Sequence, residues 1–195
     1  MSKVKSYLSL IKFSHTIFAM PFALIGFFLA FKTGITNSVR GSDAGKWINL
    51  NDNTLFYIGL KLFGLVILCM IFARSAAMAF NRYLDRNIDA KNPRTAIREI
   101  PKGIITATNA LAFTIISSLL FIVCTFFINK LCFYLSPVAL AVVLGYSYTK
   151  RFTPLCHLIL GLGLSLAPIG AYLAVTGQFA FLPILFSIAV IFWVS

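Results

Sequence analysis

Long runs of apolar residues, separated by short polar breaks, dominate the pattern of the chain. A helix of about 20 apolar residues is long enough to cross the hydrocarbon core of a bilayer. A transmembrane β-barrel would instead need alternating apolar and polar residues, a pattern that is missing from runs such as 62–72. The runs therefore predict an all-α, multi-span transmembrane helical bundle. Its six expected spans are residues 14–31, 54–80, 104–128, 131–148, 155–175 and 179–195.

The composition agrees with a chain whose solvent is mainly lipid. Hydrophobic residues make up 59% of the sequence and charged residues only 11%, whereas soluble domains average about 25% charged residues. A net charge of +12 raises the question of a nucleic-acid partner. The positions of the basic residues favour a role in membrane topology instead. The expected partner is therefore the lipid bilayer, and no nucleic-acid partner is expected.

The basic residues lie mainly at one set of span ends. That set comprises Lys3, Lys5, Lys12, Arg82, Arg86, Lys91, Arg94, Arg98, Lys102, Lys150 and Arg151, and the opposite ends carry Lys32, Arg40, Lys46 and Lys130. Because cytoplasmic loops of membrane proteins carry an excess of Lys and Arg, the N-terminus and the loops 81–103 and 149–154 are expected in the cytoplasm. The expected location is a bacterial inner (plasma) membrane.

The most informative polar residues follow the second span. If its helix continues, Asn81, Asp85 and Asp89 advance by about 40° per step and share one face over roughly 12 Å. Two carboxylates one turn apart at a membrane boundary suit Mg²⁺, which completes its coordination shell with water and phosphate oxygens. The spacing therefore predicts a Mg²⁺-bound diphosphate. The alternative is a solvated helix end, at which the two aspartates pair with neighbouring arginines.

Two other features could support an anion site. Arg74 lies seven residues before Asn81, on nearly the same face but deeper in the membrane, where a charged side chain needs a partner. Tyr146 and Lys150 share a helix face at the cytoplasmic end of the fourth span, from which they could reach an anion bound by the first motif. The alternative for Lys150 is a long basic side chain that simply extends to the membrane surface.

These residues resemble the motifs of a known family. Asn81-x-x-x-Asp85-x-x-x-Asp89 resembles the first aspartate-rich motif of the UbiA superfamily of intramembrane prenyltransferases. Residues 93–103, Pro-Arg-Thr-x-x-Arg-x-x-Pro-x-Gly, are similar to the family's segment after that motif, and Tyr146-x-x-x-Lys150 is similar to its motif after the fourth helix. The stretch 12–23 resembles the first helix of the 4-hydroxybenzoate polyprenyltransferases.

The resemblance implies a bundle of about nine transmembrane helices, of which residues 1–195 would supply about six, as one prenyltransferase domain. It implies Mg²⁺-dependent transfer of a polyprenyl group from a polyprenyl diphosphate to an aromatic acid such as 4-hydroxybenzoate, in respiratory quinone biosynthesis. By this resemblance, the catalytic and Mg²⁺-binding residues are Asn81, Asp85 and Asp89. The residues implied to bind the diphosphate are Lys150, Arg94, Arg98, Lys12 and Tyr146.

The chain departs from the family pattern in one respect. Family members carry a second aspartate-rich motif on the sixth helix, but no Asp or Glu follows Glu99 in this sequence. The sequence ends at Ser195, within an apolar run where that motif would be approached. The chain is therefore expected to be incomplete at its C-terminal end and inactive by itself.

Three alternative functions remain at this point. The first is a UbiA-type enzyme with another acceptor, such as dihydroxynaphthoate, haem or a chlorophyll-type molecule. The second is a fragment of a transporter or channel, in which Arg74, Asp85 and Asp89 line an ion path. The third is a membrane-embedded assembly subunit without catalytic chemistry. Polar residues gather at one membrane edge and not near the midplane of several spans, which favours a bound headgroup over an ion path.

Overall fold

A computed structural model describes residues 3–12, 16–39, 52–153 and 156–194. All regular secondary structure within these ranges is helical. In chain order the helices are α1 (Lys3–Leu10), α2 (Thr16–Val39), α3 (Asp52–Lys91), α4 (Ala107–Ile128), α5 (Lys130–Thr149), α6 (Cys156–Thr176) and α7 (Phe181–Val194). The predicted all-α fold class is confirmed.

Six of these helices, α2 to α7, correspond to the six predicted spans. Within the described ranges, four segments are long and apolar enough to cross a membrane, and two apolar segments are shorter. The long segments are Phe56–Lys91, Ala107–Ile128, Lys130–Thr149 and Cys156–Thr176, and the shorter ones are Met20–Lys32 and Phe181–Val194. The short helix α1 was not predicted as a separate element.

The helix that carries the second span extends beyond residue 80, so the first half of the 81–103 connection is helical. Helix α3 continues to Lys91, because the stretch 81–91 contains neither proline nor glycine to interrupt it. The helix ends just before Asn92, which precedes Pro93, and a residue before proline disfavours the helical conformation. The Asn81–Asp89 motif therefore lies on a helix, and only the remainder of the predicted loop consists of turns.

One small apolar cluster joins four parts of the chain at the end of α3. Leu10 from α1 and Ala79 from α3 are fully buried there against Ala110 from α4, and Ile105, just before α4, is 4% exposed. The side chain of Thr106 caps α4 by accepting a hydrogen bond from a backbone amide in the first turn of that helix (3.2 Å). These contacts fix segment 92–106 against the motif-bearing part of α3. We call this region of the molecule the basic end.

Helices α2 and α6 pack with their backbones in direct contact. A Cβ atom placed at Gly26 would lie 2.1 Å from the carbonyl oxygen of Pro168. Close approach of this kind through a small residue is common between membrane helices, where van der Waals packing drives association. Gly26 is therefore required by packing and not by an unusual backbone conformation.

Replacing Gly26 with Ala is expected to lower the free energy of unfolding by about 1–3 kcal/mol, because α2 and α6 must separate to admit the methyl group. The matched control is Gly64→Ala in α3, where a Cβ would meet nothing within 4 Å. This control should be neutral or up to about 1 kcal/mol more stable, because alanine favours a helix over glycine. Thermal unfolding in detergent measures both variants, and equal midpoints would contradict this account of the α2–α6 contact.

Candidate functional site

Two oxygen-bearing side chains of α3 converge on one lysine at the basic end. Asn81 and Asp85 lie one helical turn apart, and Lys150 Nζ donates hydrogen bonds to Asn81 Oδ1 and Asp85 Oδ2. Lys150 is the C-cap residue of α5, and its backbone amide donates to the carbonyl oxygen of Tyr146 (3.3 Å). The end of α5 thus places the positively charged side chain of Lys150 against the motif on α3.

Arg151, the next residue, contacts the same carboxylate from another direction. Its Nη2 lies 3.5 Å from Asp85 Oδ1 and donates to the carbonyl oxygen of Leu84 at 2.5 Å. Sequence reasoning missed this role and treated Arg151 only as a topological charge. The available signal was its position directly after Lys150, where α5 ends and the chain turns. We refer to Asn81, Asp85, Lys150 and Arg151 as the Lys150 cluster.

Two members of the Lys150 cluster, Asp85 and Lys150, are largely shielded from solvent. The side chain of Asp85 is 14% exposed and that of Lys150 is 22% exposed. Electrostatic attraction is stronger at such partly buried sites than between fully hydrated charges, because less water screens it. Tyr146 is half-buried on α5, one turn before Lys150. The structure therefore brings Lys150 into contact with the first motif, whereas the association of Tyr146 with it stays a prediction.

Asp89 belongs to a second group of charges. Its carboxylate is 7% exposed, and both of its oxygens lie 2.7 Å from Nη1 of Arg98. The hydroxyl of Thr95 donates to the backbone carbonyl of Asp89 at 3.0 Å, which holds the 92–106 segment against α3. Asp89 thus contacts the 92–106 segment, whereas Asn81 and Asp85 contact the end of α5, so the three residues of the motif do not meet one common partner.

Two arginines of α3 have incompletely satisfied guanidinium groups. Arg82 is 6% exposed, and its Nε and Nη1 find no hydrogen-bond partner among the described residues. It lines a small cleft together with Asp89, Arg98 and Glu99. The Nε of Arg74 is buried two turns before Asn81, likewise without a hydrogen-bond partner in the described part of the chain. The predicted need of Arg74 for a partner is thus not met at this atom by the described side chains.

Helix α1 reaches the same end of the bundle through one polar contact. The hydroxyl of Ser9 donates to Oε1 of Glu99, which neighbours Arg98 in the chain. Leu10, the last residue of α1, lines the cleft of Arg82. Sequence reasoning did not identify this contact, because neither Ser9 nor Glu99 belongs to a recognisable motif. The contact links the N-terminal helix to the segment that carries Arg98.

The structure does not bring every predicted diphosphate-binding residue to the Lys150 cluster. Lys12 is exposed just beyond α1, with a φ of 44°. Arg94 is also exposed, and its backbone amide donates to Asn92 Oδ1 at 3.0 Å. None of the ion pairs found among the described residues involves Lys12 or Arg94. Their roles therefore stay predictions.

The donor atoms of the Lys150 cluster suit a hard divalent cation. An amide oxygen and a carboxylate oxygen already face one positive centre, the Nζ of Lys150. No group of three or more His, Cys, Asp or Glu side chains that could hold a metal occurs within the described ranges. Mg²⁺ does not require such a group, because it is often bound by one or two carboxylates together with water and substrate phosphate oxygens. Asn81 and Asp85 thus fit Mg²⁺ held jointly with a phosphate ligand.

The amino-acid sequence is similar to those of known prenyltransferases. Residues 19–195 match the UbiA prenyltransferase family. The 4-hydroxybenzoate octaprenyltransferase of Tolumonas auensis is 37% identical over 120 residues, which cover 62% of this chain and 42% of that protein. The protoheme IX farnesyltransferase of Acidiphilium cryptum is 31% identical over 181 residues, which cover 82% of this chain and 56% of that protein. The matched part amounts to about half the length of these relatives.

Solved structures share the fold. The apo structure of a UbiA homolog from Aeropyrum pernix K1 has a TM-score of 0.72 and 30% sequence identity, covering 93% of this chain and 60% of that chain. A UbiA homolog from Archaeoglobus fulgidus bound to GPP and Mg²⁺ has a TM-score of 0.64 at 20% identity, covering 96% of this chain and 59% of that one. Because the family match extends over nearly the whole sequence and the fold agrees, the chain belongs to the UbiA prenyltransferase family.

Proposed function

We propose that this protein transfers a prenyl group from a prenyl diphosphate to an aromatic acid such as 4-hydroxybenzoate, with Mg²⁺ bound together with the diphosphate. The observation that carries the proposal is the convergence of Asn81, Asp85 and Lys150 at the end of an apolar bundle. Oxygen donors for a metal and a cation for phosphate lie together there, where the apolar tail of a prenyl diphosphate can enter the membrane. The strong positive charge of this end supports the proposal that it faces the cytoplasm, with the protein in a bacterial inner membrane.

In this proposal, Asn81 and Asp85 are the metal ligands, and Asp89 joins them once Arg98 moves to a phosphate oxygen. Lys150 and Arg98 neutralise the diphosphate through charge-assisted hydrogen bonds, which are stronger than hydrogen bonds between neutral groups. Tyr146 orients the site from the preceding turn of α5. The exposed side chains of Lys12 and Arg94 supply further positive charge at its entrance.

The proposed reaction begins with ionisation of the prenyl diphosphate and ends with attack by the acceptor ring. When bound, Mg²⁺ acts as a Lewis acid that stabilises the negative charge of the diphosphate leaving group. The allylic C–O bond breaks, the diphosphate retains the electron pair, and the prenyl carbon becomes cationic. The surrounding apolar helices exclude water from this cation. A ring carbon beside the acceptor hydroxyl then forms the new C–C bond, and transfer of the ring proton to the released diphosphate restores aromaticity.

Arg74 supports an acid as the acceptor. Its cationic side chain lies within an apolar span, two helical turns from Asn81 toward the middle of α3, and its buried Nε has no hydrogen-bond partner among the described residues. A cation in such surroundings needs an anionic or polar partner. The carboxylate of an aromatic acid would be such a partner. It would lie about 10 Å along the helix from the metal ligands, because seven residues separate Arg74 from Asn81.

The test is calorimetric binding to the purified protein in detergent. Geranyl diphosphate is expected to bind only when Mg²⁺ is present, and 4-hydroxybenzoate should bind to the protein loaded with both. Arg74→Met should weaken 4-hydroxybenzoate binding by at least about tenfold, because a hydrogen bond to a charged group is lost, and leave geranyl diphosphate binding unchanged. Lys61→Met, a cation removed from the first half of the same helix, is the matched control. Binding of geranyl diphosphate that is independent of Mg²⁺ would disprove the proposal.

A second acceptor class is favoured by one comparison. The similarity to the protoheme IX farnesyltransferase covers more of this chain than the similarity to the 4-hydroxybenzoate octaprenyltransferase of Tolumonas auensis. Protohaem IX also carries carboxylates, so Arg74 alone does not distinguish the two acceptors. The same titration with protohaem IX decides between them: tighter binding of protohaem than of 4-hydroxybenzoate to the loaded protein would assign the haem acceptor.

A further inference from the structure

Asp85 forms ion pairs with two consecutive basic residues, Lys150 and Arg151, which differ in their other contacts. The ammonium group of Lys150 contacts Asp85 Oδ2 and Asn81 Oδ1, and it has no other hydrogen-bond acceptor in the described ranges. Arg151 contacts the other carboxylate oxygen at 3.5 Å and also donates to the backbone carbonyl of Leu84 at 2.5 Å. Arg151 therefore keeps a partner on α3 whatever happens at Asp85. Lys150 has no such second anchor.

The position of the lysine ammonium coincides with the place that a metal would take. An ammonium group donates hydrogen bonds and accepts none, so its nitrogen occupies the point on which the oxygens of Asn81 and Asp85 converge. A second cation cannot use the same two oxygens while Lys150 remains, because like charges at contact distance repel strongly. The repulsion is weakly screened here, since the side chains of Asp85 and Lys150 are only 14% and 22% exposed.

Resting on the proposed function, we propose that Lys150 is a resident counter-ion that a divalent metal displaces from Asn81 and Asp85, while Arg151 stays in place and positions Asp85. A displaced Lys150 is flexible enough to move its charge to a diphosphate oxygen. A metal ion that arrives alone must displace Lys150 without giving it a new partner. A metal that arrives with diphosphate provides that partner, so metal and diphosphate bind with positive coupling.

The experiment is equilibrium dialysis of Mn²⁺, a cation that also favours oxygen ligands, against the purified protein in detergent. Binding is measured at fixed free Mn²⁺ concentrations, with and without inorganic pyrophosphate. Wild-type protein is expected to bind Mn²⁺ weakly alone and at least about tenfold more tightly with pyrophosphate, a coupling of ordinary allosteric size. Lys150→Met should bind Mn²⁺ alone at least about tenfold more tightly than wild type. Pyrophosphate should then tighten Mn²⁺ binding by a smaller factor than in wild type, because only its direct coordination of the metal remains.

Arg151→Met is the matched control, because it removes one positive charge from the same carboxylate. It is expected to bind Mn²⁺ alone no more tightly than wild type, since Asp85 loses the contact that positions it. Adding Asp85→Asn to Lys150→Met should abolish the gain, which locates the bound Mn²⁺ at Asp85. Should Lys150→Met not fold, as judged by thermal unfolding, Lys150→Gln takes its place with the same expected direction, because it also lacks the charge.

Each other outcome overturns a defined part of the proposal. If Lys150→Met and Arg151→Met both raised the Mn²⁺ affinity to the same extent, loss of any nearby positive charge would favour Mn²⁺. The two residues would then not differ in role. An unchanged Mn²⁺ affinity in Lys150→Met, with pyrophosphate-dependent uptake retained in wild type, would refute the counter-ion and leave the proposed function standing. Absence of Mn²⁺ binding by every form under both conditions would refute the proposed function as well.

Discussion

Replacing Asp85 with Asn is expected to reduce the Mg²⁺-dependent enhancement of geranyl diphosphate binding by at least about tenfold. Loss of a group that only orients a metal ligand typically costs 10–100-fold in metal affinity, and Asp85 is proposed as a ligand itself. The variant keeps an oxygen near Asn81 but loses the negative charge that attracts the metal. Calorimetric titration of geranyl diphosphate with and without Mg²⁺ measures the enhancement as a ratio of two affinities.

The enhancement is expressed as a ratio of affinities because Asp85→Asn also changes two nearby basic side chains. Without the carboxylate, Lys150 and Arg151 lose their ionic partner, so the metal-independent affinity for geranyl diphosphate is expected to rise. The matched control is Glu99→Gln, which makes the same chemical change at the basic end but outside the Lys150 cluster. An equal loss of the Mg²⁺ effect in Glu99→Gln would show that overall charge, and not a ligand at Asp85, controls metal binding.

Replacing Arg98 with Met is expected to lower the free energy of unfolding by about 2–3 kcal/mol. The substitution leaves the carboxylate of Asp89, which is 7% exposed, without the guanidinium nitrogen that contacts both of its oxygens. Breaking a buried ion pair from one side costs about 3–5 kcal/mol, and the 32% exposure of Arg98 reduces this value through solvent screening. The midpoint of thermal unfolding in detergent should fall by roughly 4–12 °C.

A double-mutant comparison separates the ion pair from other effects. Adding Asp89→Asn to Arg98→Met should recover at least about half of the lost stability, because no uncompensated charge remains buried. Arg94→Met removes an exposed arginine from the same segment and should change the stability by less than about 0.5 kcal/mol. If the double variant is as unstable as the single one, the contribution of Arg98 comes from packing, and the ion pair is not its cause.

Helical periodicity explains why half of the site could be predicted. The four-residue spacing of Asn81 and Asp85 depends only on the helix that carries them, and so does the spacing of Tyr146 and Lys150. Spacing on one helix cannot show which residues of another helix come within reach. The structure supplies the missing step by bringing the end of α5 to α3, where Lys150 meets both oxygens.

Other features depended on how the chain turns between helices, which periodicity does not determine. Arg151 reaches Asp85 because α5 ends at the preceding residues. Asp89 binds Arg98 because the segment after α3 folds back against it, so the alternative in which aspartates pair with arginines holds for this residue. The short helix α1 was missed because eight residues of mixed polarity carry too weak a pattern to separate from the following apolar run.

The burial of α1 against the end of α3 also constrains how this sequence can change over evolutionary time. Leu10 is completely enclosed, and two of its neighbours in that cluster, Ala79 and Ala110, are also fully buried and have the smallest side chain that a Cβ allows. Extra volume at either alanine must be balanced by lost volume at position 10, because a close-packed interior has no free space to absorb it. Substitutions at these three distant positions should therefore be inherited as compensating sets.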